Sequence, residues 1–530
     1  MPEHFRALAV VMILASIVFA IARRPACVLA MSPSDFTRRR NLWMALTLVA
    51  FLAHSFWVYI AIAAILLFLT RPREPNAIAL FFLLLFLIPP VSAEITGLGV
   101  INHFFSLNHA RLLALVILFP AAAALVRAPD SPRFGSTVPD KLLLGYLILY
   151  FFLQMGADSF TNSLRGAFYS FIDIILPYFV ASRSLNDIRK FRDAIMAFVL
   201  AAMLLSALAV VEFVWHWLLY SSLPEVLGVQ NVLGGYLVRN DDLRAQVTAG
   251  QPIPLGYVIA VALGMYGFLR KSIADPTLWW LGFALLIAGL IAPLSRGPWI
   301  GVAVIFLVLI ATGPRAVGRL LQLGAVALVS VPVLLATPAG QGIVDYLPFV
   351  GSVDEGNVTY RQLLLNVSIE IIKENPLFGS YDFLLYLEQL RQGQGIIDIV
   401  NTYLGVLLPT GLVGLTLFLS FFLTIAVGLY KAMRQYADKD GELHLLGRSL
   451  LATLIGILVI IFTVSSISYI AVVYWSVAGL GAACTHILLK EAAAAKLWPL
   501  QLRTVRADRL HGGAASGPDP GPTMPSKNIS

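Results

Sequence analysis

Charge is scarce in this sequence. Of 530 residues, 37 are Lys or Arg and 29 are Asp or Glu, so 12% are charged while 59% are hydrophobic. A soluble domain carries about 25% charged residues to cover its surface. The shortage excludes a soluble enzyme, a disordered chain and a nucleic-acid-binding domain, and leaves an integral membrane protein. Cysteine is scarcer still: Cys27 and Cys484 both fall in or near hydrophobic segments, which supports no disulfide framework. The eight histidines are scattered without metal-ligand spacing. A net charge of +8, which in a soluble protein would point to nucleic acid, here fits basic loops facing anionic lipid.

What is abundant is long uncharged sequence. A helix needs about 20 apolar residues to cross the hydrocarbon core. Nineteen uncharged residues lie between Glu74 and Glu94, 20 between Asp275 and Arg296, and 25 between Arg319 and Asp345. The 41 between Arg448 and Lys490 suit a hairpin of two helices. Only helices satisfy their own backbone in lipid at such lengths, since barrel strands are about half as long and alternate. The expected spans are 7–22, 42–70, 76–92, 111–126, 142–156, 165–181, 192–218, 252–269, 276–294, 298–312, 319–336, 402–428, 449–466 and 468–488. Segment 42–70 reads either as one tilted helix or as two short ones. Segment 7–22 has the size of a signal-peptide core, but Arg23, Arg24 and Arg38–Arg40 follow it without a convincing cleavage site, so it is kept as a span.

The predicted fold class is thus an all-α polytopic integral membrane protein of about 12–15 transmembrane helices, with a large, partly helical outer loop. Its organisation reads as N-terminal transmembrane segments over 1–110, a membrane core over 111–510, and a tail over 511–530 rich in Gly, Pro and Ser and expected to be disordered. Loops holding Arg71/Arg73, Arg127/Arg133/Lys141, Arg183/Arg189/Lys190, Arg270/Lys271, Arg315/Arg319 and Lys431/Arg434 alternate with loops that are not basic. The positive-inside rule puts the basic loops and the C-terminus in the cytoplasm. Segments 93–110, 157–164, 221–251, 337–401 and the turn at 467 then face outside. Within the largest, Tyr360 to Leu377 carries Leu363, Leu364, Val367, Ile371 and Ile372 at helical spacing. It reads as a helix on the membrane surface beside an active cavity, or as a simple packed helix.

In so apolar a chain the remaining ionisable residues draw attention. Arg244, Arg296, Arg361 and Asp398 lie on the outer side near span ends, and the arginines run against the charge bias. Arginine is permanently charged and grips phosphate or carboxylate with a planar fork. Several converging on one outer cavity would form a clamp for a pyrophosphate or an anionic sugar; the alternative is snorkelling, or pairing with Asp241, Asp242, Asp354 or Glu355. Asp173, inside an apolar segment, would line a cavity, act as a base, relay a proton or pair with Arg165. His54 and His103 have no partners at useful spacing and read as structural or interfacial. Sequons at Asn357 and Asn366 matter only where glycosylation machinery is present.

Four elements in order carry a family resemblance. Arg244 is followed by Gly250 and a proline-bearing span start. Ser295-Arg296-Gly297-Pro298-Trp299-Ile300-Gly301 comes next. Tyr360-Arg361 is then followed by Ile372-Lys373-Glu374-Asn375-Pro376-Leu377-Phe378-Gly379. Last come Asn401-Thr402-Tyr403-Leu404 and Pro409-Thr410-Gly411-Leu412-Val413-Gly414. This series resembles the polytopic O-antigen ligase and Wzy-type polysaccharide polymerase superfamily. The resemblance implies an enzyme of the bacterial inner membrane that transfers an undecaprenyl-diphosphate-linked glycan to an acceptor at the periplasmic face, with no metal or cofactor required. It implies that Arg244 and Arg361 hold the donor diphosphate, that Arg296 supports them, and that Tyr360 and Asn401 line the substrate site. Asp398 and Asp173 are the candidate bases. A glycan donor, a glycan acceptor, a flippase and a chain-length regulator are the implied partners.

One departure bears on the reaction. Family ligases carry a histidine immediately before the asparagine of the fourth motif, and here that position is Val400. Valine neither accepts a proton nor hydrogen-bonds a leaving group. Asp398 can take that place only if the chain there is not a continuous helix. The family glutamate near the glycine pair is likewise replaced at Pro409 or Thr410. These changes favour a polymerase over a ligase. From another class, a secondary transporter predicts inverted repeats and broken midplane helices.

Overall fold

The computed structural model describes residues 2–97, 102–129, 131–231, 233–239, 241–273, 275–335, 337, 355–391 and 397–511. The expected disordered tail, Asp354 and the side chain of Glu355 lie outside the described residues. Among those described, ten helices are long and apolar enough to cross a membrane. Three shorter apolar helices accompany them, Pro276–Ile291, Arg296–Ala311 and Ala316–Ser330.

We number the helices α1 (Glu3–Leu29), α2 (Pro33–Leu52), α3 (Phe56–Thr70), α4 (Ala77–Leu85), α5 (His109–Arg127), α6 (Val138–Ala157), α7 (Phe160–Ser184), α8 (Ile188–Trp215), α9 (Pro252–Arg270), α10 (Pro276–Ile291), α11 (Arg296–Ala311), α12 (Ala316–Leu335), α13 (Glu355–Glu374), α14 (Thr402–Gln435), α15 (Glu442–Ile461) and α16 (Ile470–His511). Two short antiparallel hairpins interrupt them, β1 (Ser92–Thr96) with β2 (His103–Asn108), and β3 (Val238–Arg239) with β4 (Asp242–Leu243). Helix starts follow local chemistry. Thr137 and Asp140 form a capping box on α6, and Ser159, Asp187 and Asn401 cap α7, α8 and α14.

Helices α8 and α9 form the centre. Almost every α9 side chain is buried, and α1, α4, α10, α11 and α15 pack around the pair. Helix α16 packs on α7 and α14, and α14 on α6. Outward-facing Ile13, Phe68, Trp280 and Leu328 are exposed, as suits side chains solvated by lipid tails.

The structure decides between the two readings of one expected span and corrects another. Segment 42–70 is two helices, since His54 takes a left-handed φ of 50° and turns the chain between α2 and α3. Segment 76–92 does not make a spanning helix: α4 has nine residues, and Pro89-Pro90 follows soon after its end. Its freed carbonyls are met from distant segments. His109 Nε2 lies 2.9 Å from the Leu84 oxygen, Thr248 Oγ1 donates to Phe86 O at 2.6 Å, and the Tyr469 hydroxyl donates to Ile88 O. A helix can end inside an apolar fold only on such terms.

The helix ends gather at two poles. One holds most of the ion pairs. Buried Arg39 reaches Glu74 and Asp193, each at 2.5 Å, Arg183 reaches Asp140 at 2.5 Å, and Arg192 pairs with Glu442. The other gathers both hairpins, the α6–α7 and α10–α11 turns, residues 375–391 and 397–401, and the α15–α16 turn.

Candidate active site

The eight residues from Phe462 to Tyr469 join α15 to α16 and touch most of the sequence motifs. The turn is non-helical and rich in hydroxyls, and its polar groups are shared among neighbours. Thr402 donates to Val464 O through both its backbone N–H, at 2.9 Å, and its hydroxyl, at 2.8 Å, and the same hydroxyl lies 2.9 Å from Ser466 Oγ. Ser468 donates to Ala249 O at 3.2 Å. Gly297 faces the Thr463 hydroxyl so closely that a Cβ there would collide with it.

Arg361 and Asp398 meet at this turn. The Arg361 Nη2 donates to Thr463 O at 3.4 Å, and the Ser465 hydroxyl donates to the Asp398 carboxylate. Partial burial lowers the Arg361 pKa from its ordinary value, while the charge of Asp398 pulls the other way. The Tyr360 hydroxyl bridges the backbone of Asp398, donating to its carbonyl at 2.9 Å and accepting from its N–H at 3.1 Å. Asn401 Oδ1 accepts from the N–H of Tyr403 at 2.9 Å and of Leu404 at 3.4 Å, capping α14. Because the helix starts only at Thr402, residues 397–401 are non-helical. That meets the condition under which Asp398 can occupy the neighbourhood of Val400.

Arg244 comes in from the other side. It follows the β3–β4 hairpin, and its Nε and Nη2 donate at 3.1 Å to Pro293 O and Ser295 Oγ of the α10–α11 turn. No carboxylate pairs with it among the described residues. Burial, and then repulsion from Arg239, push its pKa down to about 10, so it remains charged at neutral pH. Arg239 itself donates to Leu294 O at 2.5 Å. Arg296, which also takes part in an interaction, opens α11 between Ser295 and Gly297. Arg244 and Arg361 are thus linked through Ser295, Gly297 and Thr463 at one pole.

The loop carrying Arg244 is fastened by a residue the sequence reading passed over. Glu212, 1% exposed near the end of α8, accepts the backbone N–H of Leu219, Gln246 and Val247, each at 2.9 Å. A signal was available: a carboxylate inside the expected span 192–218 is as conspicuous as Asp173. The hydroxyls of 463–469 offered none, since polar turn residues are ordinary.

The third and fourth motifs interlock through backbone. Pro409 and Gly411, the latter at φ 63° and ψ −168°, break α14. The freed groups bond to the segment after α13: Ser380 N–H to Leu408 O at 2.8 Å, Leu412 N–H to Pro376 O at 2.9 Å, and Val413 N–H to Leu377 O at 3.1 Å. A Cβ on Gly379 would lie 2.6 Å from Gly411 N, and one on Gly411 would lie 2.5 Å from Phe378 N. Both glycines are required by close backbone approach at positive φ. Helix α13 buries Leu364 and Ile371 against Phe383, Leu387, Leu390 and Leu408, so its apolar stripe faces protein. Leu363, expected on that stripe, is 44% exposed.

Asp173 stands apart. Its carboxylate pairs with Arg111 at 2.9 Å rather than with Arg165, which donates to His103 O, Phe104 O and Asn162. His54 Nδ1 lies 2.7 Å from Leu52 O, and His103 lies 3.6 Å from Glu94.

Residues 281–419 match a family model described as O-antigen ligase. No curated protein matches the chain significantly. The matched stretch runs from α10 to the middle of α14 and contains Arg296, Arg361, Asp398, Asn401 and the interlocked glycines, with Arg244 upstream of it. The chain is an all-α polytopic membrane protein, and its residues 281–419 are similar to the O-antigen ligase family.

Proposed function

We propose that the protein is a polysaccharide polymerase that transfers an undecaprenyl-diphosphate-linked glycan to a sugar hydroxyl at the periplasmic face of the bacterial inner membrane. The family supports a membrane glycosyltransferase of the ligase/polymerase type in general. The observation that carries the finer reading is the pairing of Arg244, partly buried and without a carboxylate partner among the described residues, with Arg361 beside Asp398 across adjoining turns. Such a pole suits a dianionic leaving group.

In the proposed reaction the acceptor hydroxyl oxygen attacks the anomeric carbon. The bond from that carbon to the diphosphate oxygen breaks, and its electron pair leaves with undecaprenyl diphosphate. Charge grows on the diphosphate in the transition state, where Arg244 and Arg361 stabilise it most. The hydroxyl proton passes to the Asp398 carboxylate, which Ser465 and Tyr360 orient. Direct displacement inverts the anomeric carbon. Asn401 and Tyr360 act by holding the chain around Asp398, Arg296 supports the pole, and Asp173, engaged by Arg111, is left out of the reaction.

Deleting the gene and analysing the cell's glycans tests the reading. Loss of long polymer with single repeat units retained is the expected result. Polymer retained on its lipid carrier but absent from lipopolysaccharide would instead make the protein a ligase, the reading favoured by the family description; Val400 in the histidine position argues against it. Transfer by purified protein is expected to survive chelation of divalent ions, and its loss with EDTA would overturn the metal-independent scheme.

A further inference from the structure

A cavity of about 720 Å³ opens at the same pole, to one side of the arginines. That volume lies within the range of about 300–1,000 Å³ typical of small-molecule sites. The β1–β2 hairpin, the end of α6 and the start of α7 enclose it, and Glu94, Gln154, Asp158, Asn162, Arg165 and Tyr169 are among its lining residues.

The lining is built for something other than an anion. Arg165 brings positive charge, but it already donates to Phe104 O at 2.9 Å, His103 O at 2.6 Å and Asn162 Oδ1 at 2.7 Å, stapling the hairpin to α7. Two carboxylates, Glu94 and Asp158, would repel a phosphate. A metal ion is no better suited: among the described residues no three His, Cys, Asp or Glu side chains form a ligating group. One group in the wall lacks a partner. Gln154 is 7% exposed, and its Oε1 is buried without a hydrogen bond. The amide lies against Gly166, where any Cβ would strike it, so the wall is shaped around this side chain. The remaining acceptors and amide donors match a ligand whose groups both give and take hydrogen bonds, as hydroxyls do.

We propose that this cavity is a saccharide subsite, separate from the diphosphate clamp, which holds hydroxyl-rich, phosphate-free sugars of the glycan. Only the identity of the ligand rests on the glycan-transfer reading. The segment following Gly379 joins the two regions: the Tyr381 ring lies 6.3 Å from that of Tyr150 on α6 and within electrostatic reach of Asp158.

The test uses the full chain in detergent and lipid-free fragments released by acid from the surface polysaccharide of the cells in which the gene acts. Calorimetric titration is expected to show saturable binding that inorganic pyrophosphate does not displace. The exposed-site fillers Asn102→Trp and Thr161→Trp are each expected to weaken it about tenfold. Both positions are exposed, so the Tm of each variant should match that of the wild type. Absence of binding, displacement by pyrophosphate, or fragment affinity unchanged in both variants would overturn the proposal. Arg361→Ala separates the two ideas. Its transfer assay judges the proposed function, while its fragment binding, expected to stay within about twofold, judges the cavity; loss of that binding would end the claim of a separate subsite.

Discussion

A guanidinium stabilises a departing diphosphate only if its position is set beforehand, and in the proposed reaction neighbouring residues supply that. Arg361 reaches a backbone carbonyl of the α15–α16 turn and faces Asp398, while Arg244 is tied to the α10–α11 turn. Replacing Arg361 with Ala is expected to lower the transfer rate of purified protein about 100-fold or more, with Arg361→Lys restoring only part, because lysine lacks the fork. Full activity in Arg361→Ala would sink the clamp. Glu212 acts at one remove as a positioning residue. Its carboxylate gathers three N–H groups, two of them from Gln246 and Val247 just beyond Arg244. In Glu212→Gln one acceptor oxygen becomes a donor facing other donors. The expected outcome is a lower Tm together with a rise in KM for the lipid-linked donor larger than the fall in kcat. A lower Tm with unchanged kinetics would make Glu212 purely structural.

At the scale of elements, the two broken helices decide how the site is held. Helix α4 ends early and α14 breaks at Gly411, and in both cases the chain's own groups complete the open backbone. A transporter uses broken helices to coordinate its cargo; the break in α14 is occupied by residues 376–380. Gly411→Ala would force a Cβ onto the backbone of Leu377 and Phe378 at a positive φ. Strain of about 1–3 kcal/mol is expected from the dihedral alone, with the clash added. The checks are a lower Tm in detergent and faster proteolysis within 375–391. A variant as stable and as protease-resistant as wild type would refute the interlock. Spans were legible because apolar runs are long; the early end of α4 was not, because its carbonyl partners, His109, Thr248 and Tyr469, are far away in sequence.

Over the whole molecule, the poles differ in how they treat charge. One neutralises it within the fold: Arg39, 1% exposed, sits between Glu74 and Asp193. Removing one member of a buried ionic group costs about 3–5 kcal/mol, so Arg39→Ala should lower stability by that order in a chemical-denaturation series. A change within experimental error would show that the triad is solvated. At the other pole Arg244 has no carboxylate partner among the described residues, and the proposed function gives it a diphosphate. Orientation is testable after replacing Cys27 and Cys484 with alanine. A membrane-impermeant maleimide added to cells with a permeable outer membrane should label Thr161→Cys and should label Asp440→Cys only after the inner membrane is opened. The reverse pattern would invert the topology.

Composition alone determined that this chain lives in a membrane as helices, because 12% charge cannot clothe a soluble surface of this size. The sequence also singled out Arg244, Arg361 and Asp398, since ionisable residues stand out against oil. Only the tertiary structure decided their company. Hydrogen bonds between residues as distant as Arg361 and Thr463, or Asp398 and Ser465, leave no local periodicity or spacing to read. The same holds for Gln154, an uncharged residue inside an expected span, which became notable only once its amide oxygen was found buried against Gly166 with nothing to bond.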